Sequence, residues 1–240
     1  MQEQSPSVWT RPRKKPPALT RELIVATAMR VLDAEGLEAL SMRRLGAELG
    51  TAATAFYRHV ASKDELIELV VDQIYAEIEI VESDDPADWR APTLACAHSL
   101  RAAILRHPWS AQLFGAAGLS YLGPNTMEKT DRMIGVLETA GFPLEAANRA
   151  LSTVASYVTG VTIAEAAALS LMARNGLNQE EWVELMWPVA ERAAQAYPRL
   201  RRLYAAQHTA GVSVDATRED QFSFGLRHIL NSLESERTTA

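Results

Sequence analysis

The sequence is short of the residue types that build disulfide scaffolds, metal clusters and membrane spans. It has one cysteine, Cys96, in 240 residues. That thiol has no partner for an internal disulfide, and no Cys/His group carries zinc-ligand spacing. No metal and no cofactor is therefore expected, and a cytoplasmic, reducing setting suits the chain. The opening stretch, MQEQSPSVWTRPRKKPP, lacks the apolar segment of a secretory signal. Lysine is scarce as well, four against twenty arginines, so positive charge here is almost entirely guanidinium. The most apolar run, Val154–Ala173, is interrupted by Glu165 and bounded by Arg149 and Arg174; it reads as a buried helix and not as a membrane span. There is no period-2 alternation of a half-buried strand and no internal repeat. Nucleophile motifs, Gly-rich phosphate loops and metal triads are missing too. An enzyme would have to draw on His98, His107, His208 and Glu165 for acid–base work, and nothing in their spacing brings them together. The expectation is an all-α protein that is not an enzyme.

What is present is enough apolar residue for an ordered core, 48% of the chain, with 22% charged. Charge is unevenly placed. Met1 to Lys63 holds ten Lys/Arg against six Asp/Glu, a balance of +4. The whole chain carries −6, so the remainder carries −10. A basic end on an acidic protein suits a polyanion partner at that end, or merely a solvated basic tail. Residues 1–18 hold four Pro and four basic residues without apolar periodicity, and are expected to form a disordered basic tail. Arg11, Arg13, Lys14 and Lys15 fit either a minor-groove arm or a nonspecific tail, and the tail is favoured.

Helix punctuation follows. Thr20 can N-cap a helix whose Ile24, Ala28, Val31 and Leu32 share one face, and Gly36 ends it. Ser41 can cap a second, short helix with Met42, Leu45 and Leu49 inward, followed by Gly50 as a left-handed residue. A third short helix carries Ala55, Phe56 and Val60. Ser62 caps a fourth that starts at Lys63, runs to about Ile80 and turns Leu66, Leu69, Val70 and Ile74 inward. The polar run ESDDPAD breaks it. Further helical patterns fall at about 89–106, 108–115, 124–140, 144–172, 179–197 and 217–235, with Pro188 expected to kink or split the fifth of these. About 9–10 helices result. Three short helices joined by tight turns make a helix-turn-helix bundle.

The segment GLEALSMRRLGAELGTAATAFYRHVASKDEL (Gly36 to Leu66) resembles the DNA-binding domain of the tetracycline-repressor family. It carries G-x-x-x-L-[ST]-x-R-x-L, then L-G, then [LF]-Y-x-H-[FV]-x-x-K-x-x-L. One departure is Gly46, where helix two of the family usually has Ala; a small residue still fits a close helix crossing. The resemblance implies a DNA-binding transcription regulator, more often a repressor than an activator, with double-stranded operator DNA as partner. It implies a recognition helix that begins near Ala52 and lies in the major groove. Ala52, Ala53 and Thr54 then face bases, the alanine methyls against thymine methyls and the Thr54 hydroxyl against a base edge. Tyr57, His59 and Lys63 reach phosphates. Ser41, Arg43 and Arg44 belong to the same DNA-binding set, and Arg43 matches the family position that reaches a base or phosphate. The bland alternatives are that Tyr57 plugs the small core and that His59 is an inert surface residue.

Further on, LRAAILRHPWSAQLFG, then ETAGFPLEAANRALSTVASYVTG, then FSFGLRHILNSLE look like the C-terminal domain of tetracycline repressor. That resemblance implies a homodimer whose helices at Leu144–Met172 and Thr217–Glu234 pair with their mates as a four-helix bundle. The expected domains are the tail 1–18, a helix-turn-helix domain 19–66, and a helical ligand-binding and dimerisation domain 67–240. The repressor's metal-binding histidine aligns with Leu113 here, and its later polar contacts fall near Ser156 and Ala164, with Glu165 one place off. No response to a magnesium–tetracycline chelate is expected. The candidate effector-binding residues are His98, Arg101, Trp109, Gln112, Tyr121, Asn125, Ser156, Tyr157 and Trp182, with Met127, Ser152, Thr159 and Trp187 nearby in pattern. Such a lining suits a bulky, largely apolar or aromatic small-molecule effector that releases the protein from a palindromic operator. The competing reading is a helix-turn-helix regulator with no small-molecule effector.

Overall fold

The computed structural model describes residues 19–51, 53–81, 85, 88–116, 122–210 and 214–237. The expected basic tail lies outside them. Among the described residues all regular structure is helical. The α-helices are α1 (Arg21–Glu35), α2 (Met42–Glu48), α3 (Ala53–Phe56), α4 (Lys63–Ala76), α5 (Arg90–Arg106), α6 (Ser110–Ala116), α7 (Pro124–Thr139), α8 (Leu144–Arg174), α9 (Gln179–Ala194), α10 (Pro198–Ala210) and α11 (Val214–Leu233).

The helix ends follow local chemistry. Thr20, Ser41 and Ser62 each accept a backbone N–H of the first turn at 3.0–3.2 Å, from Leu23, Arg44 and Glu65 respectively. Each bond satisfies one donor that the helix itself cannot. Gly36 (φ 79°) and Gly50 (φ 61°) turn the chain out of α1 and α2 in the left-handed region that glycine enters freely. Pro188 does not split α9, which runs unbroken from Gln179 to Ala194. Its ring is exposed, and the carbonyl it leaves unbonded, that of Glu184, lies on an equally exposed turn. Pro198 opens α10 from its first position, where its missing N–H costs nothing.

Two cores form. The smaller joins Ile24, Ala28 and Leu32 of α1 with Leu45, Phe56, Val60, Leu66, Val70 and Ile74. Ala103 of α5, Leu113 of α6 and Trp109 from the turn between them close its far side. The larger surrounds α8, whose stripe Ala147, Ala150, Val154, Val158 and Ala166 lets neighbours approach closely. Against this helix lie α5, α6, α7 and α11. By length and composition alone α8 could cross a membrane. Its stripe is instead packed in this core, and Glu165 in its middle is ion-paired with α5. Tyr75 and Phe114 touch both cores, ring centroids 5.9 Å apart and edge to face.

One buried carboxylate ties α4 to the larger unit. Asp72 accepts from Asn125 Nδ2 at 2.8 Å, Asn125 N at 3.3 Å, Thr126 N at 2.9 Å and Thr126 Oγ1 at 3.1 Å. It thereby caps α7, whose first N–H groups and positive dipole end favour an anion. A side chain at Gly123 would run into the Asp72 carboxylate, so close approach requires glycine there. Asp72→Ala leaves these donors buried without their acceptor. We expect a loss of about 1–3 kcal/mol in urea unfolding, with the midpoint moved and the slope unchanged.

Candidate functional site

In the N-terminal bundle α2 packs on α1 and α3. Phe56 is fully buried and Val60 nearly so, while Tyr57 between them is 57% exposed. Tyr57 therefore does not plug the core. The turn after α3 is fixed from behind: Arg21 Nε donates to the His59 carbonyl at 3.2 Å, and the Arg21 guanidinium lies 3.6 Å from Glu65. His59 is half-buried. Ser41, Arg43, Arg58 and Lys63 are exposed, and the Ser41 oxygen that caps α2 keeps its O–H free to donate. No carboxylate among the described residues pairs with Arg43, Arg58 or Lys63. Arg58 was not singled out from the sequence; it fills the variable place of the Y-x-H motif. Ala53 and Thr54 form the first turn of α3, their side chains lying outside the described structure, as does all of Ala52.

Arg44 is engaged within the N-terminal bundle. Its Nη2 lies 2.6 Å from Glu35 and 3.0 Å from Glu48, one turn on along α2. The hydrogen bond to Glu35 holds its proton more firmly than usual. The guanidinium braces α2 against α1.

The candidate effector residues do not converge on one open surface. Arg101 of α5 makes a bidentate pair with Glu165 of α8 (2.9 and 3.0 Å), also binds Glu219 of α11, and lies 4.8 Å over the Phe222 ring. The hydrogen bond from Arg101 holds the Glu219 carboxyl below the usual range. Tyr157 donates to the carbonyls of Gln221 and Phe222 at 3.1 and 3.0 Å. His98 sits 3.9 Å from Glu219 and edge-on to Phe222. So Arg101, Tyr157 and His98 gather where α5, α8 and α11 meet, already engaged with one another's neighbours. Trp109 and Asn125 go elsewhere. The first is buried and donates to Asp33 at 2.7 Å, and the second binds Asp72. Gln112, Ser156, Ser152 and Met127 face outward on the single chain, while Thr159 and Trp182 are half-buried. Trp187 packs on Tyr204. Tyr121 lies outside the described residues. Among the acid–base candidates His107 stands apart, between Asp33 of α1 and Glu77 after α4. The His208 side chain is outside the described structure. Among the described residues no group of three or more His, Cys, Asp or Glu could hold a metal ion.

With this geometry in hand, comparison with known proteins is decisive. Residues 24–70 match the family model for bacterial regulatory proteins of the tetR family, and residues 82–237 match the tetracycline repressor-like C-terminal domain. The chain belongs to the tetracycline-repressor family. It is 33% identical over 232 residues to the HTH-type transcriptional repressor DrrR1 of Streptomyces coeruleorubidus, covering 93% of this chain and 81% of that one. With the class C tetracycline repressor protein of Escherichia coli it shares 31% over 152 residues, 62% of this chain and 68% of that one. Among solved structures, Streptomyces coelicolor ActR in complex with actinorhodin superposes with a TM-score of 0.75 at 29% identity, over 92% of this chain and 98% of that one. BioQ with its double-stranded DNA operator gives 0.57 at 31% identity, over 66% and 93%. As a member of this family the protein is a DNA-binding transcription regulator with an N-terminal helix-turn-helix and a C-terminal helical domain. Within that family bundle, adjacent aromatic residues have opposite duties. Phe56→Ala should cost about 3–5 kcal/mol of stability. Tyr57→Ala should leave the stability within about 0.5 kcal/mol of wild type, both read by thermal melts followed by circular dichroism.

Proposed function

We propose that the protein is a homodimeric repressor that grips a palindromic operator through α2 and α3 of each copy. A bulky, largely apolar or aromatic compound then releases it. The observation that carries the DNA-binding half is that Arg43, Arg58 and Lys63 stand exposed without an acidic partner among the described residues, beside the exposed ring of Tyr57. In this reading Arg43 and Thr54 touch base edges, with the methyls of Ala52 and Ala53 against thymine. Ser41, Tyr57, Arg58, His59 and Lys63 hold phosphates and so fix register. The helix-turn-helix head spans 19–66, and 67–240 form the sensing and dimerising body.

The dimer is assigned to α8 and α11. Phe224 is 58% exposed on α11, and the small residues Ser152, Ser156 and Gly160 are exposed along α8. A second copy packing there would cover both and would set two recognition helices about 34–36 Å apart, one helical turn of DNA. Effector release then needs only a compound that binds better to a conformer with the wrong spacing, because the shift cannot exceed its differential affinity for the two states. Support for an effector comes from the ActR structure with actinorhodin, a neighbour whose body this chain matches over nearly its whole length. The rival reading, regulation without an effector, draws on the internal engagement of Arg101, Tyr157, Trp109 and Asn125.

Selection of binding sites from a random duplex pool, followed by fluorescence anisotropy on the winning duplex, tests the reading. A two-fold symmetric site should emerge. Arg43→Ala should lose about 1–3 kcal/mol of operator affinity and relax preference at one position per half-site. Lys63→Ala should weaken all sequences alike and lower the salt slope by about 1. Sedimentation should show both variants still dimeric. A protein that prefers no sequence over bulk duplex at physiological salt would refute the placement of the recognition helix.

A further inference from the structure

The helices α9 and α10 form a hairpin that adds little to either core. α9 packs on the end of α8, and α10 packs on α9. Ala194 is the one buried residue of α9. Among the described side chains of α10 none is buried, and only Tyr204, packed on Trp187, is half-buried. α10 has 13 residues, and a helix so short is marginal in water unless an apolar face of it is packed. Yet Leu185, Met186 and Val189 of α9, and Tyr197, Leu200 and Leu203 at the start of α10, are 38–60% exposed. An exposed apolar group as dense as this marks an interaction surface.

The charges around that surface say what fits it. Residues 179–210 hold four glutamates and four arginines. All four glutamates lie on α9, while Arg199, Arg201 and Arg202 lie on α10. The hairpin is neutral as a whole but acidic on one helix and basic on the other. Glu184 and Glu191, seven residues apart, share one line along α9. Arg199 and Arg202, three apart, run beside the line of Leu200 and Leu203 on α10. Among the described residues none of these four charges, nor Arg201, is ion-paired within the chain. A nucleic acid or an anionic membrane gains no net attraction from a neutral surface. A surface with the same two halves, turned about a two-fold axis, meets it with acid against base on both sides.

We propose that the α9–α10 hairpin pairs with the hairpin of a second copy of this chain, α9 of each against α10 of the other. The Leu185–Val189 stripe of each copy covers the Leu200–Leu203 stripe of the other, and the glutamates of each α9 face the arginines of the opposite α10. The hairpin is rooted where that copy is expected. Arg218 of α11 donates to Gln179 Oε1 at 2.6 Å, and Asn178 and Glu181 cap the start of α9 reciprocally at 2.8 and 2.9 Å. The helices α8 and α11, assigned above to the dimer, thus lead directly into it. The pairing rests on that homodimer reading and adds to it a second attachment between the same two copies, away from the recognition helices.

The test uses the full-length protein in two charge-reversed forms, Arg199→Glu with Arg202→Glu, and Glu184→Arg with Glu191→Arg. All four side chains are exposed, so each form should fold, which thermal melts check. The first form is acidic on both helices and the second basic on both, so each repels its own kind at the hairpin and attracts the other. Copies carrying donor and acceptor dyes are mixed, and energy transfer gives the dissociation rate and the share of mixed pairs. At low salt each form alone should dissociate about tenfold faster than wild type, and the two together should favour mixed pairs about tenfold over random mixing. High salt should erase the preference. Wild-type dissociation rates in both forms, with random mixing, overturn the proposal. Phe224→Glu separates that failure from failure of the dimer reading, because it attacks the α8–α11 face and leaves the hairpin charges alone. If it yields monomers while the charge-reversed forms behave as wild type, the α8–α11 dimer stands and the hairpin pairing falls. A wild-type protein without energy transfer at any concentration overturns both. Random mixing together with wild-type binding to phosphatidylserine vesicles, lost in Arg199→Glu with Arg202→Glu, assigns the surface to an anionic membrane and overturns the pairing.

Discussion

The Asp72 carboxylate is out of water and holds four donors at the start of α7, so α4 cannot slide or turn there without leaving polar groups unpaired. That constraint governs the molecule because α4 serves two masters. One face, Leu66, Val70 and Ile74, completes the core of the small N-terminal bundle. The other reaches the body through Asp72, through Tyr75 packed edge-to-face on Phe114, and through Glu77 against His107. Three attachments within six residues make the last turns of α4 stiff with respect to the body. The beginning of the helix, by contrast, is stiff with respect to the head through the Ser62 cap and the Arg21–Glu65 pair. Movement in the body must therefore reach the recognition helix either along α4 or across the contact of α1 with the turn before α6, at Asp33 and Trp109.

The arginines are sorted by the acids around them. Arg44, Arg90, Arg101, Arg106 and Arg237 each lie against a glutamate of the same chain. All of these but the Arg101–Glu165 pair are at least partly exposed, and exposed pairs add little stability. Their effect is to use up cationic groups that an acidic protein would otherwise scatter over its surface. Among the described residues Arg43, Arg58 and Lys63 on the head have no acidic partner, and neither do Arg199, Arg201 and Arg202 on α10. A chain of net charge −6 repels a polyanion overall, so the approach of one depends on local groups of cations.

Much of this was legible in the sequence wherever the physics is local. Caps at Thr20, Ser41 and Ser62 and the left-handed glycines Gly36 and Gly50 act within four residues of themselves, and the structure has each in that role. The family motif fixed Phe56 as core and Tyr57 as surface for the same reason, since their places on a short helix follow from the α-helical period. The contacts that tie the units together are the opposite case. Asp33 meets His107 across 74 positions, Arg101 meets Glu165 across 64, and Asp72 meets Asn125 across 53. No spacing rule encodes such pairs, because each depends on how the helices stack. The engagement of Arg44 was half visible: Glu48 stands four residues on, a spacing at which opposite charges pair on a helix. The helix at Pro198–Ala210 was missed although a proline at its first position marked it. Its apolar residues Leu200 and Leu203 are themselves exposed, and so give no strong inward stripe.

The body also restricts what it can admit. Arg101 and Glu165 are each about one-tenth exposed and joined by two hydrogen bonds. Together they form a pair whose charges must stay matched once removed from water. A polar effector that sought either partner would have to replace a bidentate contact and also break the link to Glu219. A compound offering mainly apolar surface asks nothing of the pair. The Arg101–Glu165 pair thereby supports the proposal of a mainly apolar effector.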